Sequence, residues 1–132
     1  MTFALATAEI DGRPEACLST GGKLYPIAAA AARLGLHGLG GNLAGMFEGW
    51  DKNFAALSAL AAKAPASCAD LARPSAPLLA PLRYPGKVLC AGANYFDHIA
   101  EMGVPDTRKE AQRLFFFFKP PRNAVVGPGK TV

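Results

Sequence analysis

His98 and Glu101 are the two residues of this sequence whose types and spacing most directly suggest acid–base chemistry. If they lie on a helix, a separation of three residues puts both side chains on one face, roughly 5–6 Å apart at Cβ. A carboxylate beside an imidazole holds its tautomer and raises its basicity, as a general base for water requires. Ordinary surface pairs have the same spacing, so the surrounding elements must decide between the two interpretations.

The surroundings favour the catalytic interpretation. Residues 88–91 form an apolar run that ends at Gly92 and predicts a strand over 87–91, and residues 95–102 predict a helix directly after it. Helices that follow strands are common positions for catalytic and binding groups. Asn94 and Tyr95 stand between the two elements, where they either cap the helix and pack beneath it or line a pocket; the sequence leaves both open.

Lys119 follows a second apolar run, residues 114–118, and precedes two prolines. An ammonium group at the end of a buried strand is costly unless it reaches solvent or an anion. Lys119 is therefore either a residue that extends into solvent at the sheet edge or an anchor for a substrate carboxylate. The run itself is apolar on both faces, so we expect a partner chain or a further C-terminal portion to cover it.

A third pattern lies in residues 124–131, which match the phosphate-loop motif loosely, with alanine at the first glycine position. The motif works only when the loop opens into a helix whose N–H groups hold the phosphates. The sequence provides no such helix, so nucleotide binding is a remote alternative. No group of His or Cys has metal-ligand spacing.

Composition limits the classes of function. The formal net charge is +4; residues 1–81 hold six basic and six acidic residues, and residues 82–132 hold eight and four. The basic residues are scattered, which favours an ordinary solvated surface first, a small anionic substrate next and nucleic acid last. No apolar run is long enough for a membrane span, and residues 1–9 do not match the pattern expected of a signal peptide, since a basic start is missing and Glu9 interrupts the apolar stretch. Three cysteines without CxxC spacing indicate reduced thiols, and we predict a cytoplasmic protein without nucleic-acid or membrane partners.

The expected architecture is α+β, with a small β-rich domain over residues 1–80 and the start of a second, incomplete domain over residues 81–132. The predicted elements of the first domain are a β-meander over 1–27 with a turn at 11–14, a helix over 27–36, a glycine-rich loop over 35–49, a helix over 51–63 and a surface linker over 64–86. Asp51 is the predicted N-cap of the longer helix, and Pro65 is predicted to end it. The boundary is placed near residues 79–82. In the second domain we expect a loop or short helix over 103–113, a turn over 119–123 and a strand over 124–126.

Three blocks of the second part resemble the start of the catalytic domain of the fumarylacetoacetate hydrolase family. The blocks are residues 85–103 (PGKVLCAGANYFDHIAEMG), 117–121 (FFKPP) and 126–129 (VGPG). Their order and spacing are more specific than a lone His–Glu pair. Residues 1–80 resemble the small N-terminal domain of bacterial members, such as acylpyruvate and fumarylpyruvate hydrolases and dienedioate isomerases. The sequence departs from the pattern at Ala91 and Ala93 in the glycine-rich approach and at residues 122–123.

The resemblance implies a mixed-sheet β-roll that binds Mg²⁺, or Mn²⁺ or Ca²⁺, and acts on 2-oxo or β-diketo acids. Members hydrolyse C–C bonds, decarboxylate or isomerise, often in the degradation of aromatic compounds, and a homodimer is expected for the full-length enzyme. By the resemblance, His98 and Glu101 are the catalytic dyad and Lys119, Asn94 and Tyr95 bind substrate. Residues 103–113 would form a lid over the ligand.

The family binds its metal through an acidic Glu-x-Glu pair and a further carboxylate, downstream of the Gly-Pro-Gly turn, and the sequence stops at residue 132 before any of them. We therefore expect no metal ligand and no bound cofactor in this chain alone, because a hard cation needs such oxygens. The leading interpretation is an N-terminal part of a metal-dependent hydrolase or lyase. The alternative is a truncated, inactive chain whose role, if any, is to bind a partner.

Overall fold

The N-terminal residues form an antiparallel meander in the computed structural model, which describes residues 2–103, 115–122 and 124–131. Strands β1 (Ala4–Ile10), β2 (Arg13–Thr20) and β3 (Lys23–Pro26) follow one another, as the sequence predicts. The first turn is shorter than predicted. Its two residues, Asp11 and Gly12, have φ of 49° and 73°, the positive values that a tight two-residue hairpin needs.

Proline occurs inside β2, although the sequence pattern assigns it to the turn. Pro14 is paired with Glu9 of β1. On the other side, β3 pairs only with Cys17 to Thr20, so Pro14 lies where β2 has a free edge. Proline is tolerated at such edges because no ladder hydrogen bond is lost there.

Helix α1 (Ile27–Arg33) follows β3 directly and ends three residues earlier than predicted. The N–H of Leu36 donates to the carbonyl of Ala31 (2.9 Å), and that of Gly35 donates to the carbonyl of Ala32 (3.2 Å). Gly35 has a φ of 64°. These two bonds around a left-handed glycine form the Schellman arrangement, which closes the helix at that point.

The prediction of an uninterrupted loop over residues 35–49 is wrong, because α2 (Leu43–Glu48) forms inside it. The side chain of Asn42 accepts a hydrogen bond from the N–H of Gly45 (3.0 Å) and caps the helix. Leu43 and Met46, three residues apart, are both buried. Glycine disfavours a helix by only about 1 kcal/mol, which the burial of two large side chains exceeds.

Helix α3 (Trp50–Ser67) is longer at both ends than the predicted 51–63. Gly49 rather than Asp51 is its N-cap residue, and Pro65 lies inside the helix instead of ending it. The buried face of α3 continues through Ala64, beside Pro65, and the N–H of Cys68 still donates to the carbonyl of Ala64 (2.9 Å). Packing of this face outweighs the one backbone bond that proline removes.

Residues 64–86 are not the surface linker that the prolines predicted. A short 3₁₀ helix (Ala69–Leu71) follows α3, and Arg73 and Leu24 exchange two backbone hydrogen bonds of 2.8 and 2.9 Å. Strand β4 (Leu78–Leu79) then pairs antiparallel with β1, which gives a four-stranded sheet of order β3-β2-β1-β4. The main core contains Leu18 and Ile27 together with Leu57 and Leu60 of α3.

The second part of the chain has β5 (Val88–Ala91), α4 (Phe96–Glu101) and β6 (Phe116–Lys119). The strands pair antiparallel, Val88 with Lys119 and Ala91 with Phe116. The strand predicted over 124–126 is wrong, since the described residues from 124 onwards contain none; the N–H of Lys130 instead closes a turn on the carbonyl of Gly127 (3.2 Å). Residues 104–113 of the predicted lid, together with Leu114 and Asn123, lie outside the described residues.

The described residues form two compact units, one of those up to Arg83 with residues 125–131, and one of those between Tyr84 and Ala124. The predicted α+β class is confirmed, with both sheets and helices present. Within the described ranges, no helix is both long and apolar enough to cross a bilayer.

Candidate active site

Helix α4 presents the predicted dyad. The carbonyl of Tyr95 accepts the first helical hydrogen bond, from the N–H of Ile99 (3.1 Å), and Gly103, with a φ of 67°, follows the helix. Ile99 is 1% exposed and fixes the helix by its burial, whereas His98 and Glu101 are exposed. Six residues are enough to place the pair on one face but too few for a strong helix dipole.

The His98 Nδ1 and Glu101 Oε2 atoms are 3.7 Å apart. This distance is within ion-pair range but longer than a hydrogen bond, so the pair must tighten before Glu101 can orient the imidazole. The side chains of His98 and Glu101 are 56% and 79% exposed. Exposed pairs interact weakly because water screens them, so the described residues form the dyad without enclosing it.

The approach to α4 is unusual at two consecutive residues, in its packing at Gly92 and in its backbone conformation at Ala93. A Cβ built on Gly92 would lie 1.9 Å from Cζ of Phe115, because that ring lies directly against the glycine. The N–H of Gly92 also donates to the carbonyl of Phe115 (3.0 Å), which extends the β5–β6 pairing by one step. Ala93 then has a φ of 49°, a value that costs an L-residue about 1–2 kcal/mol. Backbone strain of this kind is often found at functional sites.

Asn94 and Tyr95 are the two residues for which the sequence left capping and pocket-lining open. Tyr95 is the N-cap residue by backbone conformation, with no side-chain capping hydrogen bond, and it is 71% exposed. Asn94 is exposed as well. Both side chains are therefore accessible to a ligand, on the same short connection that leads to His98.

Lys119 is the last residue of β6, one residue beyond the end of the strand that the sequence predicted, and the strands do not carry it to the dyad. It is paired with Val88 at one end of the two-stranded sheet, and α4 starts beyond Ala91 at the other. Three residue steps correspond to about 10 Å along the strands. The Nζ atom lies 5.4 Å from the ring centroid of Phe117, a cation–π contact at an exposed position.

The loose phosphate-loop match has no helix after it. Gly127 lies against the backbone of residues 78–80, and a Cβ there would be 3.0 Å from the carbonyl oxygen of Leu78. Pro128 and Gly129 form a turn. The close approach to β4 leaves no room for a side chain at residue 127, so packing explains why a glycine stands there. This explanation weakens the nucleotide-binding alternative.

Among the described residues, no group of three or more His, Cys, Asp or Glu side chains could hold a metal ion. The dyad offers one carboxylate beside an imidazole, whereas Mg²⁺ prefers oxygen ligands and is held by one or two carboxylates with water completing its shell. The described residues therefore do not by themselves fit a magnesium site.

An aromatic cluster in the first unit was not anticipated from the sequence. Ring centroids are 6.0 Å apart for Phe3 and Phe54, 5.4 Å for Phe54 and Trp50, and 5.6 Å for Trp50 and Phe47. The i, i+4 spacing of Trp50 and Phe54 was the available signal. The three rings of α2 and α3 are 38–47% exposed, so each ring is partly buried against its neighbours and partly accessible to solvent.

Comparison with protein-family models, with curated proteins and with solved structures gave no match. The resemblance to the fumarylacetoacetate hydrolase family therefore rests on the residues quoted from the sequence.

Proposed function

We propose that this chain supplies the proton-transfer part of a hydrolase or lyase site for 2-oxo or β-diketo acids, on the first strands and helix of a β-roll. The observation that carries the proposal is the dyad itself: His98 and Glu101 face each other at 3.7 Å on a helix that starts just after a strand. The resemblance of the surrounding sequence gives the substrate class.

In this role, the imidazole of His98 takes a proton from water, and the Glu101 carboxylate stabilises the imidazolium that forms. The accessible side chains of Asn94 and Tyr95 contact the substrate, and the ammonium of Lys119 attracts its carboxylate. The family uses a divalent cation in this chemistry, and the described residues provide no site for one. The roles of these five residues therefore rest on their own side-chain chemistry.

The test uses the protein that the complete reading frame encodes, assayed on acylpyruvates and oxaloacetate in the presence of Mg²⁺. His98→Ala should lower kcat by roughly 10²–10⁴, the usual contribution of a general base, while metal affinity stays unchanged. Glu101→Gln should lower kcat less, since the imidazole keeps a hydrogen-bond partner. Asp97→Asn, a neighbouring exposed carboxylate on α4, is the matched control and should have no effect.

Lys119→Met should raise KM for the anionic substrate, because the attraction between the ammonium and the substrate carboxylate is lost. Lys130→Met is its control and also tests the nucleotide-binding alternative, which predicts that Lys130 is the lysine that matters. A His98→Ala enzyme with kcat within threefold of wild type and a collapsed metal affinity would make His98 a ligand and the proposed mechanism wrong.

A further inference from the structure

The end of the β5–β6 sheet that lies away from α4 carries three positive charges. Lys119 is the last paired residue of β6, and Lys87 comes directly before β5 at the same end. After β6 the chain turns, since the N–H of Ala124 donates to the carbonyl of Pro120 (3.0 Å), and this turn contains Arg122. We call Lys87, Lys119 and Arg122 the cationic end of the sheet.

The described residues of this unit place no carboxylate against the cationic end. Their acidic residues are Asp97 and Glu101, both on α4 at the opposite end of the sheet. In this described part of the chain, neither forms an ion pair with any of the three cations, which are all exposed. Like charges repel one another, so an anion that binds at the cationic end relieves this repulsion.

Aromatic rings hold two of the cations in separate places. The guanidinium carbon of Arg122 lies 5.4 Å from the ring centroid of Tyr84, and the Nζ atom of Lys119 lies 5.4 Å from that of Phe117. Phe117 is within the paired part of the sheet, whereas Tyr84 precedes β5. Contact with a ring leaves the charge of a cation in place. Two cations fixed apart suit a ligand with two separate anionic groups better than a ligand with one.

We propose that Arg122 binds a second carboxylate of the substrate, so that this chain selects dicarboxylic over monocarboxylic 2-oxo acids. The inference rests on the proposed function, in which Lys119 attracts the first carboxylate. The guanidinium presents a fork of N–H donors that matches a carboxylate, and its charge-assisted hydrogen bonds are stronger than neutral ones. Arg122 lies at a position where the sequence departs from the resembled family, so the resemblance assigns it no role.

Calorimetric binding of 2-oxoadipate and 2-oxohexanoate tests the inference, on the protein that the complete reading frame encodes and in the presence of Mg²⁺. The two probes differ only in that a carboxylate replaces a methyl group. Neither has a carbonyl or carboxylate β to its oxo group, so binding is measured without C–C cleavage. Wild type should bind 2-oxoadipate roughly tenfold more tightly, as one charge-assisted contact allows. Arg122→Gln should bind both probes equally and leave the affinity for 2-oxohexanoate unchanged.

Two further variants make the test specific to the guanidinium. Lys63→Gln removes one positive charge from an exposed position of α3 and is the matched control, which should keep the preference for 2-oxoadipate. Arg122→Lys keeps the charge without the fork and should retain part of the preference. Far-UV circular dichroism checks that each variant is folded.

The binding test and the kinetic test of the proposed function can fail independently. A preference that Arg122→Gln abolishes supports the inference even if the protein turns over no acylpyruvate or oxaloacetate, a result that would refute the proposed reaction alone. Equal affinities of wild type for the two probes, or binding of neither, would overturn the inference. A preference that persists in Arg122→Gln, or that Lys63→Gln removes equally, would also overturn it.

Discussion

The buried thiol of Cys17 makes the stability of this protein depend on pH in a defined direction. Cys17 is 0% exposed, in a small apolar cluster with Ala8 and Ile10. Burial, with a smaller contribution from the charge of Glu15, raises the pKa of the Cys17 thiol from 9.0 to about 11, and Arg73 opposes the shift weakly. The folded protein therefore keeps this proton at pH values where the unfolded chain loses it.

The sign and size of the effect follow from linkage. Between pH 9 and pH 11 the folded state binds more protons at this site, so the free energy of unfolding falls as pH rises. The contribution is fully present below pH 9 and is lost as pH rises through the folded pKa. A pKa difference of about 2 corresponds to about 2–3 kcal/mol, of which about 2 kcal/mol should be gone by pH 10.5.

Urea unfolding followed by circular dichroism at pH 8, 9, 10 and 10.5 measures the effect, with Cys17→Ala as the matched control. The contributions of all other groups cancel in the difference between the two proteins, because only residue 17 differs between them. The difference should shrink by about 2 kcal/mol from pH 8 to 10.5. A flat difference, or a Cys17 thiol that reacts with a thiol reagent at pH 9 as quickly as an unfolded chain, would refute the reasoning.

Two further predictions concern local features. Ala93→Gly should raise the local stability of the second unit by about 0.5–1 kcal/mol, because glycine removes the cost of a φ of 49°. Ala91→Gly, within β5, is the control and should lower the local stability. Hydrogen exchange of the β5 amides measures both changes. Arg33 donates a hydrogen bond to the Asp70 carboxylate, which lowers the pKa of Asp70 from its ordinary value. Arg33→Gln should raise that pKa back towards its ordinary range in an NMR titration, and an unchanged value would contradict the ion pair.

Local rules were sufficient where neighbours in sequence decide the structure. Asp11-Gly12 and Gly21-Gly22 predicted two hairpins, and Gly35 stopped α1 close to the expected position, since positive φ is a property of the residue itself. The spacing of His98 and Glu101 likewise predicted their common helix face. The sequence by itself thus determined the meander, the strand–helix order of the second unit and the dyad.

Long-range packing decided the rest. Leu43 and Met46 make a helix within a glycine-rich segment, and α3 continues through Pro65 because the core stabilises its buried face. Leu78 and Leu79 join β1 as a fourth strand although prolines surround them, because β1 offers a free edge. The antiparallel register of β5 and β6 placed Lys119 at the far end of the sheet from α4 and collected Leu89, Ala91, Phe116 and Phe118 on one face. Strand pairing sets such neighbours across many residues of chain, and the spacing within one segment carries no information about them.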